Sequence, residues 1–336
     1  MSSLEERTGL GSARIVCILA MPRTGSSYLT QLLKCCPEFN VHAELFHKNS
    51  VGLKPGERSA LLKAAGGEAT DEQSLNVWRR RNPGKVLDAL LHSSGERPLF
   101  FKLFGGHLSK AQVAAEILSR DDVRYVLLWR RPIESFISSR KASHYGVHGR
   151  VDTTTLKPTI VDQDFVNWAL RYNRWYDWTA RELRARGLPT MEIVYETQLK
   201  NAESHVALAG ILDGLVALGL PKVALPEELL SSERQDREPD YRARVANWAE
   251  FEREILSVPA HAELLQWAET VPGLPSPSAA SKSASTGQGR PGNGAGKPST
   301  QADSREERRR LKRERRRAQK KGTRIAGKRG RDRAAQ

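Results

Sequence analysis

The stretch Ala13-Arg-Ile-Val-Cys-Ile-Leu-Ala-Met-Pro-Arg-Thr-Gly-Ser-Ser-Tyr-Leu-Thr-Gln-Leu-Leu33 decides the architecture of this chain. Ile15 to Met21 is a short apolar run of β-forming residues. Pro22 and Gly25 interrupt it, and from Ser26 onward Tyr28, Leu29, Leu32 and Leu33 return at helical spacing. A buried strand, a tight turn and a helix N-terminus therefore follow one another. That order aims unpaired backbone N–H groups and the positive end of a helix dipole at one point, which is what an anionic ligand needs. Arg23, Thr24, Ser26 and Ser27 add side-chain donors. Read alone, the same segment is also compatible with a plain Gly/Ser turn between a core strand and a core helix. A Walker A loop would need Gly in place of Ala20 and Lys in place of Ser26, so an ordinary ATP or GTP site is excluded.

A second segment repeats the pattern. Asp122-Val-Arg-Tyr-Val-Leu-Leu-Trp129 reads as a central strand that ends in Arg130-Arg131-Pro132, and Ile133 to Lys141 continues as a helix with Pro at its first position. Arg130 is a natural phosphate partner, since a guanidinium offers paired donors. Arg131, Arg140 and Lys141 are equally readable as a solvated basic face, and Ser135, Ser138 and Ser139 share the helix.

The order Pro22, Arg23, Thr24, Gly25, Ser26, Ser27, Tyr28 resembles the 5′-phosphosulfate loop of sulfotransferases, enzymes that use 3′-phosphoadenosine 5′-phosphosulfate (PAPS). Arg130 and Ser138, with Pro132 between them, match the spacing of that family's 3′-phosphate motif. Three weaker segments resemble the bacterial carbohydrate-type members of the trehalose and nodulation-factor groups. They are Pro98 to Phe104, carrying Lys102 with His107 shortly after; Met191 to Glu196, ending in Tyr-Glu; and Asp240 to Trp248, ending in Asn-Trp. The resemblance spans roughly residues 12 to 272 and implies an α/β, P-loop NTPase-like three-layer sandwich with a central parallel sheet. It also implies PAPS as co-substrate, no metal, and a hydroxyl of a glycan, glycolipid or small molecule as acceptor.

Carried over residue by residue, the resemblance assigns cofactor binding to Arg23, Thr24, Gly25, Ser26, Ser27, Tyr28, Arg130 and Ser138. Tyr28 is placed near the adenine, or is a core residue spaced with Leu32. Arg23 is expected to neutralise the bridging oxygen of the leaving phosphate. Lys102 either stabilises charge on the transferring group or lines the strand with its stem. Glu44, in Val41-His-Ala-Glu-Leu-Phe-His47, matches the family's general base, with His42, His47 and His107 as the other candidates. Sulfuryl transfer is an in-line displacement in which positioning and charge stabilisation supply most of the acceleration. A small-molecule kinase on the same fold and a catalytically idle polyanion-binding scaffold are the rival readings. The acceptor pocket is expected from loops at 45 to 97 and 143 to 163.

Composition divides the chain. Residues 1–273 carry 35 Lys plus Arg against 34 Asp plus Glu, whereas 274–336 carry 19 against 5 and no aromatic residue, so nearly all of the net +15 lies in the tail. The expected division is an N-terminal extension over 1–12, the enzyme domain over 13–273, a Ser/Gly/Ala/Pro-rich flexible linker over 274–303 and a basic, disordered or marginally helical tail over 304–336. The tail is expected either to bind a polyanion, nucleic acid or an acidic membrane surface, or only to aid solubility. Cys17, placed in the first strand, and adjacent Cys35 and Cys36, placed on the following helix, suit a reducing compartment. With no secretion signal evident, a cytoplasmic location is expected. Trp168, Tyr172, Trp175 and Tyr176 share one face of a long helix over 164–186, with Trp178 off it.

Overall fold

Five strands lie side by side and all run parallel in the computed structural model, in the order β2 (Asn40–Val41), β3 (Leu99–Phe104), β1 (Ile15–Ala20), β4 (Val123–Trp129), β5 (Thr190–Val194). The structure describes residues 13–49, 52–146, 151–200, 202–229 and 236–270. The N-terminal extension, the linker and the basic tail expected from composition lie outside these residues. The first strand is the middle one, with Ile18 level with Lys102 on one side and Val126 on the other. Its six residues are all buried, as an uninterrupted apolar run in a two-sided parallel sheet must be.

The alternation of side chains splits the interior in two. Ile15, Cys17 and Leu19 pack with α2 (Pro55–Ala65), α3 (Glu72–Arg81), α4 (Pro83–Ser94), the residues around α5 (Lys110–Glu116) and the long α7 (Asp162–Ala185). Val16, Ile18 and Ala20 pack with α1 (Ser26–Leu33) and α8 (Ser204–Ala217) on the other face. Helix, sheet and helix make the three layers expected. A third apolar cluster joins α6 (Pro132–Tyr145) and α7 to α9 (Trp248–Leu256) and α10 (Pro259–Ala268) through Phe136, Phe165 and Phe251.

This topology places the site. Neighbouring strands β1 and β4 send the chain to opposite faces of the sheet, one into α1 and the other through α6 into α7. A crevice opens between such turns at the carboxyl ends of the strands.

Several local expectations change. The segment expected as acceptor loops between 45 and 97 contains three helices, α2 to α4, whose Leu61, Leu75, Leu87 and Leu90 bury against the sheet. Helix α1 stops at Leu33, so Cys35 and Cys36 lie in the turn after it and not on it. Strand β5 ends at Val194, and Tyr195 and Glu196 begin a single π-helical turn, Tyr195–Leu199, that turns both toward β4. On α7, Tyr172, Trp175 and Tyr176 are buried and Trp168 is partly so. Trp178 also packs on that core, its ring 5.6 Å from Trp175, because an aromatic side chain reaches back from the edge of the face.

Candidate active site

The loop between β1 and α1 is held open by unusual backbone. Gly25 caps α1 with φ +90°, and Arg23 is the one non-glycine among the described residues with positive φ, at +70°. Gly25 is required twice over: its φ suits glycine, and a Cβ there would run into the ring of Tyr195. Buried Thr24 donates through Oγ1 to the Met21 carbonyl at 2.7 Å, closing the turn. Helix α1 has no side-chain N-cap hydrogen bond and no acidic residue in its first turn, so its dipole end is left to an incoming anion.

The second turn meets the first directly. Arg130 donates through Nη1 to the Arg23 carbonyl at 2.7 Å, and Arg23 donates through Nε to Ser138 Oγ at 3.0 Å. The spacing of Arg130 and Ser138 on the chain thus becomes a contact with the β1–α1 loop, 107 and 115 residues away. Of the rival hydroxyls, fully buried Ser135 faces the Arg23 carbonyl at 3.5 Å. The reading of α6 as a solvated basic face fails: Lys141 is buried and bonds Asp236 at 2.6 Å and the Thr153 carbonyl at 2.8 Å. Burial and the Arg130 charge lower the Arg23 pKa. Arg130 is itself buried, a cost outweighed by the Tyr195 hydroxyl, Glu134 and Glu196, which leave its pKa raised. The Tyr195 ring lies under its guanidinium at 4.6 Å.

The third strand supplies a lysine from beneath. Lys102 is 2% exposed and points to the α1 face with Phe100 and Phe104, which brings Nζ to 3.3 Å from Ser27 Oγ and 3.8 Å from Glu44 Oε1. Burial lowers its pKa, and Glu44 opposes that shift. Glu44 in turn lies 3.6 Å from His107 Nε2. The His107 Nδ1 accepts the Phe104 N–H at 3.3 Å, which puts the ring proton on Nε2, facing the carboxylate. His107, with help from the Lys102 and His47 charges, outweighs burial and keeps the Glu44 carboxyl below the usual glutamate range.

The other imidazoles separate. His47 packs edge-on to His107 at 5.8 Å, and its Nδ1 accepts the Asn49 N–H. Buried His42 turns away to Glu57, 3.4 Å from its Oε1, in a network with Asn40, Ser94 and Lys54. The loop carrying His47 is anchored by fully buried Arg79, which donates to the His47 and Asn49 carbonyls. Tyr28 is half-buried on the α8 side, where its hydroxyl meets Ser204 at 3.0 Å.

Sequence reasoning passed over the acid beneath the phosphate-type turn. Glu134, 1% exposed, is surrounded by Arg130, Arg131, Lys200 and Arg244, and burial notwithstanding they hold its carboxyl at about 2. Its place four residues after Arg130 was a visible helical ion-pair signal. Lys200 and Arg244, 66 and 110 residues away, left no such trace. Glu196 accepts the Arg131 N–H at 2.9 Å, and burial and Glu134 raise its pKa.

Comparison with known proteins gives the family. No curated protein matches the chain. Among solved structures, the chain is similar to the sulfotransferase domain from the Synechococcus PCC 7002 olefin synthase, at 18% identity over 82% of this chain and 94% of that one, with TM-score 0.40. It is also similar to the sulfotransferase domain from the curacin biosynthetic pathway, at 17% identity over 76% and 95%, TM-score 0.40. A sulfotransferase from Alicyclobacillus acidocaldarius aligns at 14% identity over 73% and 97%, TM-score 0.36. The model of the sulfotransferase family matches residues 16–213, from the first strand to α8 and through both cation-bearing turns, and this chain belongs to that family.

Proposed function

We propose that this protein transfers a sulfuryl group from PAPS to a hydroxyl of a glycan, glycolipid or small-molecule acceptor. The observation that carries the reading is Lys102, whose ammonium joins Ser27 of the β1–α1 loop to Glu44 of the neighbouring segment. A loop suited to an anion and a carboxylate suited to a proton are thereby brought within one side chain of each other.

The residues fit the co-substrate's two anionic ends. The uncapped N-terminus of α1, Arg23, Thr24, Ser26 and Ser27 suit the 5′-phosphosulfate, and Arg130 with Ser138 suits the 3′-phosphate. Arg130 Nε, like Arg131 Nε and Arg140 Nε, is buried without a hydrogen-bond partner among the described residues, which leaves it able to take an acceptor that the protein itself does not supply. Bound PAPS supplies the sulfuryl group; the chain supplies orientation and charge.

Glu44 is the base that takes the acceptor's proton, and its low pKa keeps it ionised at neutral pH. His107 holds Glu44 through Nε2–H, and Lys102 offers positive charge between base and loop. Arg23 meets the charge that develops on the leaving phosphate.

The test is incubation of purified protein with PAPS and candidate acceptors, followed by mass spectrometry, with calorimetry of adenosine 3′,5′-bisphosphate and of ATP with magnesium. PAPS-dependent sulfation and clear preference for the bisphosphate are expected. Equal affinity for magnesium ATP, or no sulfated product across hydroxyl acceptors, would overturn the reading.

A further inference from the structure

The Arg130 guanidinium is fixed on several sides before any ligand arrives. Nη1 donates to the Arg23 carbonyl at 2.7 Å, Nη2 lies 3.4 Å from Glu134 Oε2, and the Tyr195 ring covers one face at 4.6 Å. What is left is the buried Nε edge, without a partner among the described residues.

Glu134 does more than pair with its own helix. Its carboxylate also receives Arg131 at 3.0 Å, Lys200 at 3.3 Å from just after the π turn, and Arg244 at 3.0 Å from the segment before α9. Arg244 is tied further to the Glu238 carbonyl at 2.8 Å. Two turns along α6, Lys141 binds Asp236 at 2.6 Å, so residues 236–244 cross α6 with a buried ion pair at each end and Ser138 between them in sequence. Four cations around one carboxylate leave a surplus of positive charge, which suits a phosphate dianion.

We infer that Glu134 is a positioning residue for the co-substrate, holding Arg130 in the orientation that grips the 3′-phosphate without touching that group itself. The inference rests on the reading of Arg130 as a phosphate ligand. It has a competing explanation of opposite sign. If Glu134 only balanced charge, its neutralisation would increase the positive surplus and tighten anion binding; if it positions Arg130, neutralisation weakens binding.

Calorimetry with adenosine 3′,5′-bisphosphate separates the two. Glu134→Gln should weaken binding by about tenfold or more, the scale of a lost charge-assisted hydrogen bond. The KM for PAPS should rise with kcat at saturation nearly unchanged, and Glu134→Asp should recover part of the affinity. Lys141→Met cuts the other tie to residues 236–244 without contacting Arg130, and should lower the melting temperature while affinity stays within about twofold. Binding by Glu134→Gln as tight as wild type, or equal weakening in Lys141→Met, overturns the inference. Should Glu134→Gln fail to fold, Glu134→Asp carries the test, and unchanged affinity there overturns it. Arg130→Ala distinguishes the two levels: wild-type affinity in that variant sinks the phosphate assignment itself, whereas a loss there with none in the Glu134 variants sinks only the positioning role.

Discussion

Glu44 Oε2 lies 3.6 Å from His107 Nε2, and the other nitrogen of that ring is occupied by the Phe104 N–H. The imidazole thus takes a backbone N–H on one nitrogen and faces the carboxylate with the other, and in the proposed mechanism Glu44 accepts the proton. Glu44→Gln keeps the shape and removes the proposed base, so turnover should fall roughly 100-fold while bisphosphate affinity stays within about twofold. Full turnover in this variant would reassign the base.

The pH profile gives a signed test of the same pair. The Glu44 pKa is lowered, chiefly by His107, so the proposed base stays ionised to lower pH and the acid limb of kcat/KM should lie below the usual glutamate range. In His107→Ala the burial effect is left less opposed, the Glu44 pKa rises and the limb should move to higher pH. A wild-type limb near about 6.5 that disappears in His107→Ala would instead make the imidazole the base.

Gly25→Ala tests the loop. The substitution forces an L side chain to φ +90° and drives its Cβ into the Tyr195 ring, so it should cost about 1–3 kcal/mol in stability from backbone strain alone. Tyr195→Ala in the same chain removes the overlap but not the strain, so only part of the loss should return on thermal denaturation. Full recovery would show that the backbone there is not strained.

Acid stability should report Glu57, outside the proposed chemistry. Burial pushes its carboxyl up, but His42, the Lys54 N–H and Asn40 outweigh it and hold it at about 2 against an ordinary 4.5. A depressed folded pKa stabilises fully above the unfolded value and loses that contribution as pH falls through the folded one. The melting temperature should therefore drop between about pH 4.5 and pH 2, and Glu57→Gln should flatten that drop while lowering stability at neutral pH. An unchanged slope in Glu57→Gln would exclude the network as its source.

Truncation after Gly273 removes a segment with 19 of the chain's 54 Lys and Arg and no aromatic residue. The shortened protein should keep its melting temperature and its turnover on a small acceptor, and should lose salt-sensitive retention on heparin or RNA, because binding without stacking side chains is mostly counterion release. Retention that survives truncation would place the polyanion contact elsewhere.

The strand-turn-helix at Ala13 to Leu33 and its counterpart at Asp122 to Lys141 were legible in the linear sequence because hydrophobic period, Pro, Gly and cation spacing are all local properties. They supplied the residues of both turns, and their resemblance to the sulfotransferase motifs implied the parallel three-layer fold. Tertiary structure decided what spacing cannot carry. Along the chain only the resemblance sets Glu44 apart from His42 and His47; the packing of the segment after β2 is what turns His42 to Glu57 and leaves Glu44 between Lys102 and His107. The link from Arg23 to Arg130 and Ser138 spans more than a hundred residues, and the ring of Lys200 and Arg244 around Glu134 draws on segments that share no local pattern with it. Arg23, Arg130, Ser138 and Lys200 meet because β1, β4 and β5 lie side by side with their carboxyl ends together, and that adjacency is a property of the assembled sheet and not of any window of sequence.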